Sequence, residues 1–323
     1  MDNKILIISP CHYGFGGWFR ADNIARELRL LKYRVFFLYP LKAHKLLKRV
    51  LNGVINCRYV FGKDIIHIFE LVQPECFFPA FLGKILGKKV IVDVGDEWLH
   101  TIYPNRLFYL WVGLVDKLLR FFPLTVTSDY LIRKYGKGIK LINGVNYGEF
   151  EPVHRNQARK ELGINYEAKV LLAFGNTWGN QRTKLLKETY QWVKLYDESI
   201  QLYVGMGWNK KKLGLYLSAC DLVLFPTGGE PCEQACFPIR VGSCLNAERV
   251  IATDTANTEF HSALNDCLLV GDYPKDIALN IVYFFKDKSY RKQLEENTKK
   301  KKQELGWNKL IIKLEEFYKN ADK

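Results

Sequence analysis

The chain has 323 residues, about twice the size of a typical single domain, so two compact domains are expected. Its 48% hydrophobic and 25% charged residues are an ordinary globular composition, which excludes disordered and collagen-like chains. The formal net charge is +14, and it is uneven: residues 1–150 carry 22 basic and 12 acidic side chains, whereas residues 151–323 carry 26 and 22. This basic first half leaves three partner classes open, namely nucleic acid, an anionic membrane surface and a phosphorylated substrate.

The amino-terminal sequence and the cysteines predict a reduced, cytoplasmic protein. The first apolar run is too short for a signal peptide, and no run reaches the length of a membrane span. Several of the eight cysteines lie in apolar runs, which favours buried free thiols. The cluster of Cys232, Cys236 and Cys244 lacks a CxxC pair and a nearby His, so we expect no metal site.

The sequence pattern of the first half predicts buried strands that alternate with helices. The first strand, Ile5–Ile8, is followed by a glycine loop and an amphipathic helical pattern. Further strands are predicted at four apolar runs, 35–39, 64–69, 89–93 and 124–127. Because continuous apolar strands alternate with helices, the pattern predicts a parallel sheet with right-handed crossovers.

The alternation pauses near Asn143–Asn146, and a polar, loosely patterned stretch from 149 to 165 precedes its return. We place a domain boundary there, which gives domains at 1–150 and 151–323. The second half contains strand patterns at 170–174, 201–204, 221–225, 250–253 and 267–270, and ends in three helical patterns. Two Rossmann-like domains in tandem are the simplest architecture, with ligands expected in the cleft between them.

Two loops that follow strands of the first half carry candidate site residues. Gly14–Gly17 can turn backbone N–H groups and a helix N-terminus towards a phosphate, although a tight turn explains the glycines equally well. Its spacing is not GxGxxG, so an ordinary dinucleotide site is unsupported. Asp96 follows a buried strand, where a carboxylate can orient a hydroxyl or accept its proton, and helix capping is the alternative role. Asp93 belongs to the strand and is predicted to serve packing or capping.

A polar loop in the second half, 175–182, is predicted to bind a ligand, because long Gly/Asn loops at strand ends seldom serve packing. Arg182 and Lys184 follow the glycine turn with which this loop begins. Cations at a helix start can neutralise a diphosphate and assist its departure. A solvated helix face is the alternative explanation for this basic pair.

A second strand-end loop contains Glu230 and Glu233, which can bond sugar or ribose hydroxyls. Arg240 follows at the start of a predicted helix, where it can hold a phosphate. The alternative for Arg240 is a salt bridge to one of these glutamates.

Two basic stretches rich in apolar residues remain. The segment 41–51 has the pattern of an interfacial membrane helix, although most such patterns are surface helices that cover a core. The segment 106–115 is too short to span a bilayer, so we predict a packed helix.

Taken in order, these motifs resemble the GT-B glycosyltransferases, particularly the retaining family four, which transfers sugars from nucleotide-diphosphate donors. The segments that carry the resemblance are Gly16-Gly17, Asp93–Asp96, Asn143–Asn146, Val204–Gly207, Tyr216–Pro226, Pro238–Arg240, Val250–Asp254 and Trp307–Leu310. The resemblance implies an α/β fold of two Rossmann-like domains whose parallel sheets face a central cleft. It also implies that the C-terminal helix returns to the first domain, with acceptor binding at 1–150 and donor binding at 151–323.

The resemblance also implies roles for single residues. Gly16 and Gly17 would lie against the donor diphosphate, which Arg182 would hold. The further implied donor-binding positions are Gly175, Asn176, Gly205, Gly207, Arg240 and Ser243. The implied catalytic set is Asp96, Arg182, Lys184, Glu230 and Glu233.

The sequence departs from the family pattern at three places. Asn176 replaces the usual arginine after the glycine, and Gly95 replaces a frequent histidine. The E-x7-E glutamate pair is missing, and its positions hold Ala235 and Ser243, or Gln234 and Gly242 with a one-residue gap. The second glutamate of that pair normally grips the ribose, so its loss bears on full catalytic competence.

The resulting hypothesis is a cytoplasmic, hexosyltransferase-like enzyme that acts with retention, without metal or cofactor, on a UDP- or GDP-sugar. Its acceptor would be a saccharide or lipid-linked glycan, and its basic first domain would contact an anionic membrane on the cytoplasmic face. The alternative is a catalytically weakened GT-B protein that binds nucleotide-sugar or partner enzymes in glycan assembly. Nucleic acid is not an expected partner because no recognised binding module is present. A sugar-nucleotide epimerase of the same fold would ordinarily carry a richer set of catalytic carboxylates and histidines.

Overall fold

The computed structural model describes residues 3–11, 16–39, 46–96, 106–175, 180–227 and 237–320. Contacts divide them into two compact units. The first unit holds the described residues up to Asn143, together with Phe237 and the chain from Trp307 onwards. The second unit holds the described residues between Gly144 and Gly306 apart from Phe237. The division therefore falls at Asn143–Gly144 rather than between residues 150 and 151.

Each unit is built on one parallel sheet. The strands of the first unit are β1 (Lys4–Ile8), β2 (Arg34–Leu38), β3 (Ile65–Phe69), β4 (Lys89–Val94), β5 (Leu124–Val126) and β6 (Ile139–Lys140). The strands of the second unit are β7 (Lys169–Gly175), β8 (Ile200–Met206), β9 (Leu222–Leu224), β10 (Val250–Asp254) and β11 (Leu268–Gly271). The sheet orders are β2-β1-β3-β4-β5-β6 and β11-β10-β9-β7-β8, with parallel pairing throughout. The predicted α/β fold with two parallel sheets is confirmed.

The helices follow the strands in alternation. Those up to the middle of the chain are α1 (Gly16–Leu30), α2 (Leu46–Asn56), α3 (Pro74–Ile85), α4 (Arg106–Leu118), α5 (Asp129–Tyr135), α6 (Arg155–Leu162) and α7 (Asn180–Tyr196). The remaining ones are α8 (Lys210–Ala219), α9 (Arg240–Asn246), α10 (Thr258–Leu264), α11 (Pro274–Lys286), α12 (Lys288–Glu304) and α13 (Trp307–Asn320).

The strands form the cores because aliphatic side chains cover both faces of the central ones. In the first unit Leu6, Ile66 and Val92 stack across neighbouring strands with no exposed surface, and Leu171 and Leu222 do the same in the second. Each such side chain contributes roughly 1.5–3 kcal/mol when it is fully removed from water. Rigid sheets of this kind fix the positions of the loops that follow each strand.

The last helix, α13, packs on α1 of the first unit. Its buried stripe is Trp307, Leu310, Ile311, Leu314 and Tyr318. The Tyr318 hydroxyl is hydrogen-bonded to Nδ1 of the buried His67 on β3 at 2.6 Å. The predicted return of the C-terminal helix to the first domain is therefore confirmed.

The polar stretch 149–165 contains a helix that its pattern does not predict. Helix α6 buries Ala158 and the side chain of Arg159, whose guanidinium donates to Asp221 at 2.8 Å and to the Ala219 carbonyl at 3.0 Å. Because this helix is anchored by a buried ion pair, it shows no apolar stripe in the sequence. Gly163 ends it in the left-handed region, at φ 66°.

Candidate functional site

The strand orders locate a candidate ligand edge in each unit. In an open parallel sheet, ligands bind beyond the carboxyl ends of the strands, where the order reverses. The first sheet reverses between β1 and β3, and the second between β7 and β9. The loops after β1, β3 and β9 contain Cys11, Glu70 and Thr227, and β7 ends at Gly175, so these residues mark the two edges.

A buried ion pair lies next to the first edge, between α1 and β4. Arg20 on α1 donates to both carboxylate oxygens of Asp93 at 2.8 Å, and both side chains are almost fully buried. The same guanidinium donates to the carbonyls of Leu141 and Ile142 at 2.7 and 3.2 Å. The Thr125 hydroxyl donates to Asp93 at 2.6 Å. Asp93 therefore serves packing, as predicted, and fixes the strand end that precedes Asp96.

Glu70 is a residue of the first edge that sequence reasoning missed. It directly follows β3, has a positive φ of 58°, and accepts a hydrogen bond from the Cys11 thiol at 3.7 Å. Burial, with help from the nearby Asp96 and Asp93 carboxylates, raises the pKa of Glu70 to about 8. At neutral pH Glu70 is thus largely protonated and can donate a hydrogen bond. The available signal was its position directly after a buried strand, the same signal that singled out Asp96.

The predicted residues of the first edge lie around Glu70. A side chain on Gly17 would come within 2.8 Å of the Cys11 sulphur and 3.1 Å of a Glu70 oxygen, so the close packing of α1 explains that glycine. Gly16 is exposed at the first position of α1. Asp96 is exposed beyond β4, near enough to Glu70 to raise its pKa. Asp96 is therefore accessible from solvent.

Two arginines meet at the second edge. Arg182 on α7 donates through Nε to the Thr227 carbonyl at 3.2 Å, and Arg240 on α9 donates to the Phe174 carbonyl at 2.7 Å. Both line one small cavity with Phe174 and Phe225, and the Arg240 guanidinium lies 4.9 Å from the centre of the Phe225 ring. Arg182 and Arg240, which the sequence predicts separately as phosphate-binding residues, are thus brought together at the carboxyl ends of β7 and β9.

The glycines of the second edge have different surroundings. Gly175 is the last residue of β7 and lies beside the carbonyl that Arg240 holds. A side chain on Gly205 would come within 2.5 Å of the Trp208 ring, so packing explains this glycine. Gly207 has a φ of 63° and no heavy atom within 4 Å of its would-be Cβ, which identifies it as a turn residue with open space.

Ser243 is buried on α9, and its hydroxyl donates to Glu149 at 2.8 Å. Burial raises the pKa of Glu149, partly offset by the Ser243 hydrogen bond and by Lys210. Sequence reasoning missed Glu149, since it lies in a linker without strand pattern. The structure therefore supplies a carboxylate beside one of the two positions aligned with the missing second glutamate.

The remaining predicted residues are not at this edge or are not described. Lys184 is exposed and pairs with Glu188 one turn along α7 at 3.8 Å, which fits a solvated helix face. Asn176, Glu230 and Glu233 lie outside the described residues. Within the described part of the chain, no cluster of His, Cys, Asp and Glu can hold a metal ion.

No family model matches this sequence, and no curated protein matches it. Several solved structures, however, superpose on this chain. A glycosyltransferase from Rickettsia africae ESF-5 superposes with a TM-score of 0.75 and 12% identity, over 100% of this chain and 99% of that one. Anabaena Alr3699/HepE in complex with UDP-glucose superposes with a TM-score of 0.72 and 12% identity, over 98% and 99%. WaaG, a glycosyltransferase involved in lipopolysaccharide biosynthesis, superposes with a TM-score of 0.64 and 13% identity, over 97% and 99%. These likenesses, together with the two parallel sheets, show that this chain has the GT-B fold.

Proposed function

We propose that this protein is a glycosyltransferase that moves a sugar from a nucleotide-diphosphate donor to an acceptor, with retention. The observation that carries the proposal is the meeting of Arg182 and Arg240 at the reversal point of the second sheet. Two guanidinium groups held by backbone carbonyls match the oxygens of a diphosphate and stabilise the charge that develops as it leaves. The structural neighbours with this fold include a protein in complex with UDP-glucose.

The donor is proposed to bind the second unit. Arg182 holds the departing diphosphate, Arg240 supports it, and the exposure of Lys184 makes its contribution smaller. Glu149 and Ser243 supply a carboxylate and a hydroxyl for hydroxyl groups of the donor. The reaction is proposed to need no metal ion, because Arg182 and Arg240 provide the positive charge that a metal would otherwise supply. EDTA should then leave the rate unchanged.

The acceptor is proposed to bind the first unit. Asp96 accepts a hydrogen bond from the reacting hydroxyl, while Glu70, largely protonated at neutral pH, donates one to a neighbouring oxygen. The 22 basic against 12 acidic side chains of residues 1–150 suit a phosphorylated or lipid-linked saccharide. WaaG, with the same fold, acts in lipopolysaccharide biosynthesis.

Contact with the cytoplasmic face of an anionic membrane is also part of the proposal. None of the described helices is long and apolar enough to cross a bilayer. Helix α4, however, has a second apolar stripe opposite its buried one, formed by the exposed Leu107, Leu110 and Leu114. Exposed Phe121 follows it, with the Lys84 ammonium 5.9 Å from its ring. Apolar side chains flanked by cations suit the boundary of anionic headgroups and acyl chains.

A thermal-shift screen with UDP-, GDP- and ADP-sugars tests donor binding. We expect one nucleotide class to raise the melting temperature, and Arg182→Ala to remove most of that rise. Lys184→Ala is the matched control, with the same loss of one charge on the same helix and little expected effect. The alternative of a catalytically weakened binding protein predicts a donor-induced shift that survives Arg182→Ala, without release of nucleoside diphosphate.

A further inference from the structure

A cavity of about 710 Å³ lies in the second unit at the opposite edge of its sheet. It is lined by residues 247–249, which directly precede β10, and Asp221 directly precedes β9 beneath it. The proposed donor residues Arg182 and Arg240 line the other edge, beyond the carboxyl ends of these strands. The cavity is therefore separate from Arg182 and Arg240, the arginines of the proposed donor site.

The cavity is strongly cationic. Its described lining includes two glutamates against seven lysines and arginines, which are Arg155, Arg249, Lys288, Arg291, Lys292, Lys299 and Lys302. Like charges gathered in a concave, low-dielectric surface focus the field and raise the local concentration of an oppositely charged ligand. The lining thus favours an anion.

Several of these cations are held in place before any ligand arrives. Arg155 and Arg291 both donate to one oxygen of the buried Asp221, at 2.8 and 3.0 Å, while Arg159 occupies the other oxygen. Three guanidinium groups therefore share one carboxylate. Arg291 also pairs with Glu295 at 2.9 Å, so at the floor of the cavity three arginines face two carboxylates. Arg249 is fixed by two backbone carbonyls of the segment 217–218, at 2.8 and 3.0 Å. Preorganised cations reduce the entropic cost of binding.

The cations extend along one face of α12. Five cations and one glutamate of this helix recur at helical spacing and line the cavity: Lys288, Arg291, Lys292, Glu295, Lys299 and Lys302. From first to last they span about 21 Å at 1.5 Å per residue. A single small ion engages only a fraction of this length, whereas a chain of phosphate groups can engage most of it. The described lining contains no Phe, Tyr or Trp on which nucleic-acid bases could stack.

We propose that this cavity is a second anion site, which binds a ligand carrying several phosphate groups. Arginine forks match phosphate oxygens in pairs, and the lysines add point charges along the chain. The proposal does not depend on glycosyl transfer, because the two sites lie at opposite edges of the sheet.

Calorimetric titration of the full chain with orthophosphate, pyrophosphate and tripolyphosphate tests the site. The variant Lys288→Gln/Lys292→Gln removes two exposed cations of the lining. The matched control is Lys309→Gln/Lys313→Gln, which removes the same charge from exposed positions of α13. Arg182→Ala reports any binding of the probe at the donor edge. Citrate provides the carboxylate comparison, and a short single-stranded RNA the nucleic-acid comparison.

We expect affinity to rise from orthophosphate to tripolyphosphate and to exceed that for citrate. The Lys288→Gln/Lys292→Gln variant should weaken tripolyphosphate binding about tenfold or more, since each charge-assisted contact is strong. The Lys309→Gln/Lys313→Gln control should stay within about twofold of the wild type, because these charges lie outside the lining. Arg182→Ala should remove only the binding of the probe at the donor edge and leave the binding at the cavity. Equal binding by the cavity variant and the control, loss of all tripolyphosphate binding in Arg182→Ala, or tighter binding of citrate or RNA would each overturn the proposal.

Discussion

Among single residues, Asp93 offers the sharpest test of stability. Its carboxylate is the buried counter-charge of Arg20. Asp93→Asn leaves the guanidinium buried without that charge, so the free energy of unfolding should fall by about 3–5 kcal/mol. Urea unfolding followed by tryptophan fluorescence measures the change. The control is Asp129→Asn, which removes a more exposed ion pair with Lys140 and should cost about 0–1 kcal/mol. Equal losses in the two variants would contradict the assignment.

Glu70 predicts a pH dependence of stability. Its folded pKa of about 8 lies above the ordinary 4.5, so between these values the folded state binds more protons than the unfolded state. Stability from this group is therefore fully present below pH 4.5 and lost as the pH rises towards 8. Glu70→Gln should remove that loss. Denaturation at pH 6.5 and 8 checks this prediction, which fails if the wild type and the variant lose stability in parallel.

His67 acts in the opposite direction at lower pH. Burial lowers its pKa to about 4 from 6.5, so its neutral form stabilises the fold above pH 6.5 and that contribution is lost as the pH falls towards 4. The two groups therefore oppose one another between pH 4.5 and 6.5. Comparison of Glu70→Gln with the wild type above pH 6.5 isolates Glu70.

At the scale of elements, α4 gives the test of membrane contact. Leu107→Gln/Leu110→Gln removes exposed apolar surface and leaves the buried Val112 and Val115 in place. The double variant should lose most of its binding to vesicles that contain anionic lipid, measured by co-sedimentation. Its thermal unfolding should remain close to that of the wild type.

The matched control for α4 is Leu195→Gln/Leu279→Gln, which removes two exposed leucines of the second unit. This variant should bind vesicles like the wild type. Equal losses in both variants would indicate general adhesion of apolar surface. Unchanged binding of the α4 variant would exclude α4 as the contact.

The elements that the sequence predicts are those whose burial is apolar. Strand β1 is aliphatic after Lys4 and β3 is apolar except for His67, so their positions follow from continuous apolar runs in the sequence. The two-residue β6 is too short for a pattern, and α6 is anchored by the buried Arg159. The second apolar face of α4 also escapes a prediction that treats every apolar residue as core.

The sequence predicts some residues of the candidate site and not others, for a similar physical reason. Arg182 and Arg240 follow strand ends in the sequence, and the structure brings both to one cavity. Their convergence depends on the order in which the strands pair, which local sequence does not encode. Glu149 and Ser243 are 94 positions apart and meet only through packing.

For the molecule as a whole, the uneven charge is consistent with acceptor binding in the first unit and donor binding in the second. The first unit combines a basic surface with the exposed stripe of α4, and the second unit concentrates its cations at two opposite edges of one sheet. The second half has a smaller net excess because glutamates and aspartates pair with many of its lysines and arginines. Net charge alone therefore does not show where the cations of the second unit are concentrated.

In the proposed reaction, Arg182 stabilises the departing nucleoside diphosphate. Release of nucleoside diphosphate from the donor selected by thermal shift, with an acceptor present, measures this step directly. Removing one preorganised cation should lower kcat by about 10²–10³-fold in Arg182→Ala, whereas Lys184→Ala should retain most of the wild-type rate. Wild-type protein that releases no nucleoside diphosphate from UDP-, GDP- or ADP-sugars would contradict glycosyl transfer. An Arg182→Ala variant as active as Lys184→Ala would contradict the role of Arg182.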